Sequence, residues 1–200
     1  MTHPQRAGYL RAIELGGKSA AVILDGMDIP TAAATLAGAE CFLSGQTCSS
    51  LTRIIVTRRR HDEFVEALSG SFAQVRAGDP FDTQTQTGPL VASRPLVIAQ
   101  EKIFGPVLSV IQAADEDDAI RVANDTIYGL NASVFTPDVG SARQVARQLR
   151  SGTVGHNAFR TDVGIAFGGF KQSGIGREGG TEGLLPFLEV KTVILEGRPA

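Results

Sequence analysis

Ala20-Ala21-Val22-Ile23-Leu24-Asp25-Gly26 is a short apolar run closed by a turn pair, and its reading decides the fold. A run of this length bounded by Asp-Gly predicts a buried β-strand. Directly after it, Asp28 is placed to cap a helix with Pro30 in the first turn, and Ala33, Ala34, Ala37 and Cys41 recur at helical spacing. The same alternation continues down the chain. Residues 53–57 are a β-branched strand, and residues 62–72 a helix with Phe64, Leu68 and Phe72 on one face. Residues 78–89 are poor in apolar side chains and predict a loop. Strands are then expected at 107–111, 131–135 and 153–156. Helices are expected at 115–124, and from Thr136-Pro137-Asp138 through Ala142, Val145, Ala146 and Leu149. Strands alternating with amphipathic helices predict an α/β fold, a mainly parallel sheet with helices on both faces.

The chain has 200 residues, 42% of them hydrophobic, which suits one domain with a substantial core. A net charge of −2 gives no electrostatic reason to expect a nucleic acid or an acidic membrane as partner. Arg58-Arg59-Arg60 reads as a solvated face beside a helix start. No run has the length of a signal-peptide core or a membrane span. With only Cys41 and Cys48 present, a disulfide framework is not expected and a reducing cytoplasm is. His3, His61 and His156 are scattered without metal-ligand spacing, and none is favoured as a partner for a cysteine nucleophile.

Two stretches carry candidate chemistry. Ser44-Gly45-Gln46-Thr47-Cys48-Ser49-Ser50 sets one cysteine in a polar loop, where backbone N–H groups can favour a thiolate and small neighbours leave it reachable. Cys48 is therefore the candidate nucleophile, against the alternative of a structural cysteine in a turn. Cys41, among small and apolar residues, is expected to pack as an inert thiol. Upstream, Ile13-Glu14-Leu15-Gly16-Gly17-Lys18-Ser19 puts a carboxylate before two glycines at the entrance to the first strand. A partly desolvated carboxylate can take a proton from a thiol or a water, so Glu14 is the candidate base, against an ordinary capping or exposed Glu. Farther on, residues 164–183 hold eight glycines, and Gly174-Ile175-Gly176-Arg177-Glu178-Gly179 formally matches GxGxxG. With no strand feeding it and no long helix after it, this stretch reads as a flexible surface loop and not as a dinucleotide fingerprint.

These two stretches, their spacing, Phe104-Gly105-Pro106-Val107, Phe167-Gly168-Gly169-Phe170-Lys171-Gln172-Ser173-Gly174 and Glu189-Val190-Lys191-Thr192-Val193 together resemble the aldehyde dehydrogenase superfamily. The resemblance implies an aldehyde oxidised to a carboxylic acid through a cysteine thiohemiacetal and thioester, with NAD or NADP as hydride acceptor. It implies Cys48 as nucleophile, Glu14 as base, and the Cys48 backbone N–H as an oxyanion donor. Leu15 and Phe104 would lie at the cofactor, and Phe167 in the substrate pocket. Where the family has an acidic ribose ligand before the Ile-Phe pair, this sequence has Lys102, with Glu101 one position early. Lys can only donate, so the cofactor contact at Lys102 is expected to be weak.

The chain is expected to be a catalytic-domain portion of 1–200, with residues 1–12 poorly ordered, the upstream cofactor domain absent and the interval from Pro89 to Gly105 shortened. Its expected partners are a small-molecule aldehyde and a further copy of itself or a separately encoded cofactor domain. Two alternatives stand beside this reading: a non-catalytic remnant or interaction module, and a weak cofactor-free thiol esterase.

Overall fold

A computed structural model of the chain describes residues 12–90, 104–162 and 164–197. Lys102, Glu101 and the N-terminal residues expected to be poorly ordered up to residue 11 lie outside the described residues. In chain order the elements are β1 (Ile13–Glu14), β2 (Ala20–Ile23), α1 (Ile29–Cys41), β3 (Arg53–Thr57), α2 (His61–Ala73), β4 (Ser109–Ala113), α3 (Glu116–Asn124), β5 (Asn131–Phe135), α4 (Val139–Ala146), β6 (Thr153–His156), β7 (Gly174–Ile175) and α5 (Gly180–Leu184).

Five strands form one sheet in the order β4-β3-β2-β5-β6, every pair parallel. The period-two alternation of β2 explains why both faces are covered. Ala21 and Ile23 face α1 and α2 in a cluster with Leu36, Ile54, Val56 and Phe64. Ala20 and Val22 face α3 and α4 with Ile55, Ile120, Val134 and Val145. At roughly 25 cal/mol per Å² of apolar surface removed from water, this two-sided burial is the main term holding the sheet.

Local signals place the helices. The Asp28 carboxylate accepts from the Thr31 N–H at 2.9 Å at the start of α1, as its sequence position predicts. Asp115 and Asp138 cap α3 and α4 in the same way, accepting from Asp118 and Ser141. The buried stripe of α1 is Ile29, Ala32, Ala33, Leu36, Ala37 and Glu40, so the expected face was turned slightly: Ala34 is exposed and Cys41 only half-buried. A charged residue completes the stripe where an apolar one was expected to. Strand β4 begins two residues later than its β-branched pattern predicts, because Ser109 pairs with Arg53 in the register of β3.

Two expectations are corrected. Arg60 is not on a solvated face, since its guanidinium donates to the Asp25 and Met27 carbonyls at 2.6 Å and pins the turn after β2, while Arg59 pairs with Asp25. Nor is the glycine-rich stretch 164–183 a flexible surface loop. Ser173 is fully buried, and β7 pairs antiparallel with β1, setting Gly174 opposite Glu14. A Cβ on Gly174 would collide with the Ile13 carbonyl oxygen, and its φ of +140° suits only glycine, so the glycine is there for close approach. The rejected fingerprint stays rejected on geometry: the strand lies inside the motif, and α5 after it has only 5 residues.

Candidate active site

The loop that carries Cys48 is built from three consecutive left-handed residues, Leu43 (φ 49°), Ser44 (φ 55°) and Gly45 (φ 69°). Such backbone is sterically costly for Leu and Ser and reverses the chain at the end of α1. It is held from both sides. The Gly88 N–H donates to Ser44 Oγ at 3.1 Å, the Gln46 N–H to the Leu43 carbonyl at 3.0 Å, and Gln46 Nε2 to the Phe104 carbonyl at 3.4 Å. Gly45 lies so close to the Gly105-Pro106 peptide that a Cβ would come within 2.6 Å of the Pro106 nitrogen. Across the thiol, the Thr47 and Ser50 hydroxyls share a hydrogen bond, and Asn131 Nδ2 donates to the Ser49 carbonyl at 3.3 Å.

The loop is the wall between two clefts. One, of about 340 Å³, is lined by Cys48 and Phe167 together with Phe42, Phe159, Asp162 and Glu178. The other, of about 720 Å³, is lined by Phe104 with Cys41, Leu43, Ser44 and Gln46. Phe104 has a positive φ of 54° and is 48% exposed. The structure thus brings Cys48 and Phe167 into one cleft and sets Phe104 across the loop from them.

Glu14 lines neither of these clefts. Its Oε1 accepts from the Gly16 N–H, and the Leu15 N–H donates to the Ser173 carbonyl at 2.9 Å, with the Leu15 side chain 63% exposed. What joins the Glu14 loop to the thiol loop is the Gly17 N–H, which donates to the Cys48 carbonyl at 3.0 Å. Gly17 is backed by Leu130, where a Cβ would arrive at 2.7 Å from the Leu130 Cβ.

Pattern reading also missed a buried cluster of ionisable side chains, Glu40, Lys18 and Arg53. Glu40 is 1% exposed and Lys18 3%. Burial pushes the Glu40 carboxyl up to about 8, opposed by the nearby Lys18. Burial and then the Arg53 charge lower Lys18, with Glu40 opposing them. Arg53 donates to the Lys18, Val122 and Ala123 carbonyls at 2.8–3.1 Å, closing the end of α3. The Cys41 thiol is raised by burial and then by the Glu40 charge. Phe42, Phe159, Asp162 and Glu178 were also missed, because a cleft wall drawn from four separate segments leaves no periodic signal. His156 Nε2 bonds the Thr136 carbonyl and His61 Nδ1 the Asp62 carboxylate, both at 2.8 Å. Among the described residues no group of three or more acidic, His or Cys side chains could hold a metal, and no helix is long and apolar enough to cross a membrane.

A family model described as the aldehyde dehydrogenase family matches residues 10–97 and 92–193. The two matches meet at residues 92–97, within the interval read as shortened. The betaine aldehyde dehydrogenase of Brucella anthropi is 35% identical over 232 aligned residues, covering 92% of this chain and 48% of that protein. Among solved structures, a Mycobacterium tuberculosis aldehyde dehydrogenase complexed with NAD+ superposes with a TM-score of 0.87 at 35% identity, covering 94% of this chain and 49% of the other. A Staphylococcus aureus betaine aldehyde dehydrogenase in complex with NAD+ superposes at 0.82 and 34% identity, covering 87% and 44%. The chain spans about half the length of the curated relatives it matches.

Proposed function

The chain belongs to the aldehyde dehydrogenase family, and from that membership we propose that it carries the thiol and the base of an NAD(P)+-linked oxidation of an aldehyde to a carboxylic acid. The observation that carries the reading is the Cys48 loop standing between two clefts, Phe167 in one and Phe104 in the other. A nucleophile that must meet a substrate on one side and a hydride acceptor on the other needs such a wall.

In the proposed reaction the Cys48 thiolate adds to the aldehyde carbon and forms a C–S bond, giving a thiohemiacetal whose oxyanion is stabilised by the Cys48 N–H. Nicotinamide, when bound, supplies the acceptor for the hydride lost from that carbon. The resulting thioester is cleaved by a water whose proton passes to Glu14; the acid leaves and the thiolate returns. The 720 Å³ cleft, lined by the half-exposed Phe104, is where the cofactor's ring would be held. Phe104 and Leu15 would hold the group there, with Lys102 as a weak donor contact.

The site residues, the single catalytic-domain assignment for 1–200 and the cytoplasm as compartment are part of the same proposal. A chain with only two cysteines, Cys41 and Cys48, supports the compartment. A second protein surface, from a further copy or a separately encoded cofactor domain, is supported by the exposed apolar row Leu188, Val190, Val193, Ile194 and Leu195.

The test is p-nitrophenyl acetate hydrolysis by the chain, Cys48→Ala and Glu14→Gln. The expected result is loss of the enzymatic component in Cys48→Ala, and a burst of acylation with little turnover in Glu14→Gln. Equal background rates in all three would overturn the catalytic reading in favour of a non-catalytic module.

A further inference from the structure

Behind the Cys48 α-carbon the chain is held by its carbonyls. The Gly17 N–H donates to that of Cys48 at 3.0 Å, and the buried Asn131 amide to that of Ser49 at 3.3 Å. Ahead of it the chain is held by two hydroxyls. Ser50 is 6% exposed, and its Oγ donates to the Gly45 carbonyl at 3.4 Å. The Thr47 and Ser50 hydroxyls also bond each other, which closes a ring through the main chain with Cys48 inside it. A serine hydroxyl has one proton to give. With that proton on the Gly45 carbonyl, Thr47 is the donor in the bond between the two hydroxyls. Thr47 lines the 340 Å³ cleft together with Cys48, yet its proton is directed to Ser50 and its hydroxyl offers the cleft lone pairs alone.

Resting on the reading of Cys48 as the nucleophile, we infer that Thr47 and Ser50 are positioning residues: their hydroxyl bridge sets the plane of the peptide between Thr47 and Cys48, and so aims the Cys48 N–H at the oxyanion. That N–H belongs to the same peptide as the Thr47 carbonyl, so the backbone torsions of Thr47 decide where it points. Anchoring Thr47 through its side chain fixes them before reaction. A donor already aimed needs no reorganisation as charge develops. The sulfur is carried by the part of the loop that Gly17 and Asn131 hold from the other side. The bridge therefore acts on reactions that build an oxyanion and leaves alone those that need only the sulfur.

The test compares two reactions of Cys48 in the full chain. Acylation by p-nitrophenyl acetate passes through an oxyanion, whereas alkylation by iodoacetamide displaces iodide and forms none. Thr47→Val, which keeps the shape of the side chain, and Ser50→Ala should each slow the acylation burst about tenfold or more, short of the hundred- to thousandfold that complete loss of such a donor costs. Alkylation should stay within about twofold in both, since it needs only the thiolate. Thr47→Ser, which retains the hydroxyl, should keep acylation within about threefold of the unaltered chain. The double variant should be no slower than the slower single one, because the two hydroxyls act through one bond. Unchanged acylation, an equal fall in acylation and alkylation, or additive losses in the double variant overturns the inference. So does a loss in Thr47→Val that Ser50→Ala does not share, which would make Thr47 itself the donor. Ester hydrolysis that survives in Cys48→Ala, or is absent from the unaltered chain, overturns instead the reading of the nucleophile, and the inference falls with it.

Discussion

The Gly17 amide donates to the Cys48 carbonyl at 3.0 Å, and that bond ties the Glu14 loop to the thiol loop. The thiol loop turns through left-handed Leu43 and Ser44, and the Glu14 strand has only 2 residues. The pairing of β1 with β7 and the bond from Gly17 are what fix the distance between the candidate base and the candidate nucleophile.

Gly17→Ala tests that coupling. A Cβ there meets the Leu130 Cβ at 2.7 Å, so the loop must withdraw from the sheet and from Cys48. Displacing a catalytic group by an ångström costs on the order of a hundredfold in rate, and overpacking costs about 1–3 kcal/mol. Hydrolysis of p-nitrophenyl acetate should fall about that far while the chain stays folded by circular dichroism. Unchanged hydrolysis would show that the two loops are independent.

The sheet was legible in the sequence because its signals are local. Asn131–Phe135 and Thr153–His156 lie at the bounds expected for them, and Asp28 caps the helix its position predicts. What escaped was structure made by distant partners. Gly174 and Glu14 pair across the chain through a two-residue strand that has no period to read. Glu40 completes an apolar stripe although its type belongs on a surface. Cys48 and Glu14 could be proposed from their motifs, but Asp162, Glu178, Phe42 and Phe159 become neighbours only in the folded cleft.

Gly174→Ala should act on Glu14 from the far side of that pairing. The added Cβ collides with the Ile13 carbonyl and requires a φ of +140° from an alanine. Opening β1 from β7 should leave acylation of Cys48 nearly intact and slow deacylation, since only the base is displaced. Stopped-flow ester hydrolysis separates the two phases. A loss confined to the burst phase would contradict this role for the pairing.

The two thiols should differ in reactivity. Burial raises the Cys41 thiol, and the Glu40 carboxylate adds to this where it is ionised, whereas Cys48 sits in a polar loop on the rim of a cleft. Iodoacetamide at neutral pH followed by peptide mapping should label Cys48 first. Glu40→Gln should leave the labelling of Cys41 at neutral pH nearly unchanged and speed it only above about pH 8, where Glu40 would otherwise carry a charge. Preferential labelling of Cys41 in the unaltered chain would remove Cys48 from the nucleophile's role.

Glu40 should also give the fold a pH dependence of definite sign. Its carboxyl has an ordinary value of 4.5 in the unfolded chain and is pushed up to about 8 in the fold. Between those values the folded chain keeps a proton that the unfolded chain has lost, so stability is full below the lower value and falls as pH rises through the window. The ceiling is about 1.4 kcal/mol per pH unit, or roughly 3–5 °C in a chain of this size. Lys18 works in the opposite direction at the alkaline end. Its folded value is lowered beneath 10.5, so the folded chain gives up that proton first and stability gains with pH across that interval. The melting temperature should therefore decline from pH 6 to pH 8. Glu40→Gln should flatten the decline, because the amide fills the same space at 1% exposure without a charge to bury. Parallel pH profiles for the two proteins would show that another group sets the slope, and a rise toward pH 8 in the unaltered chain would reverse the sign assigned to Glu40.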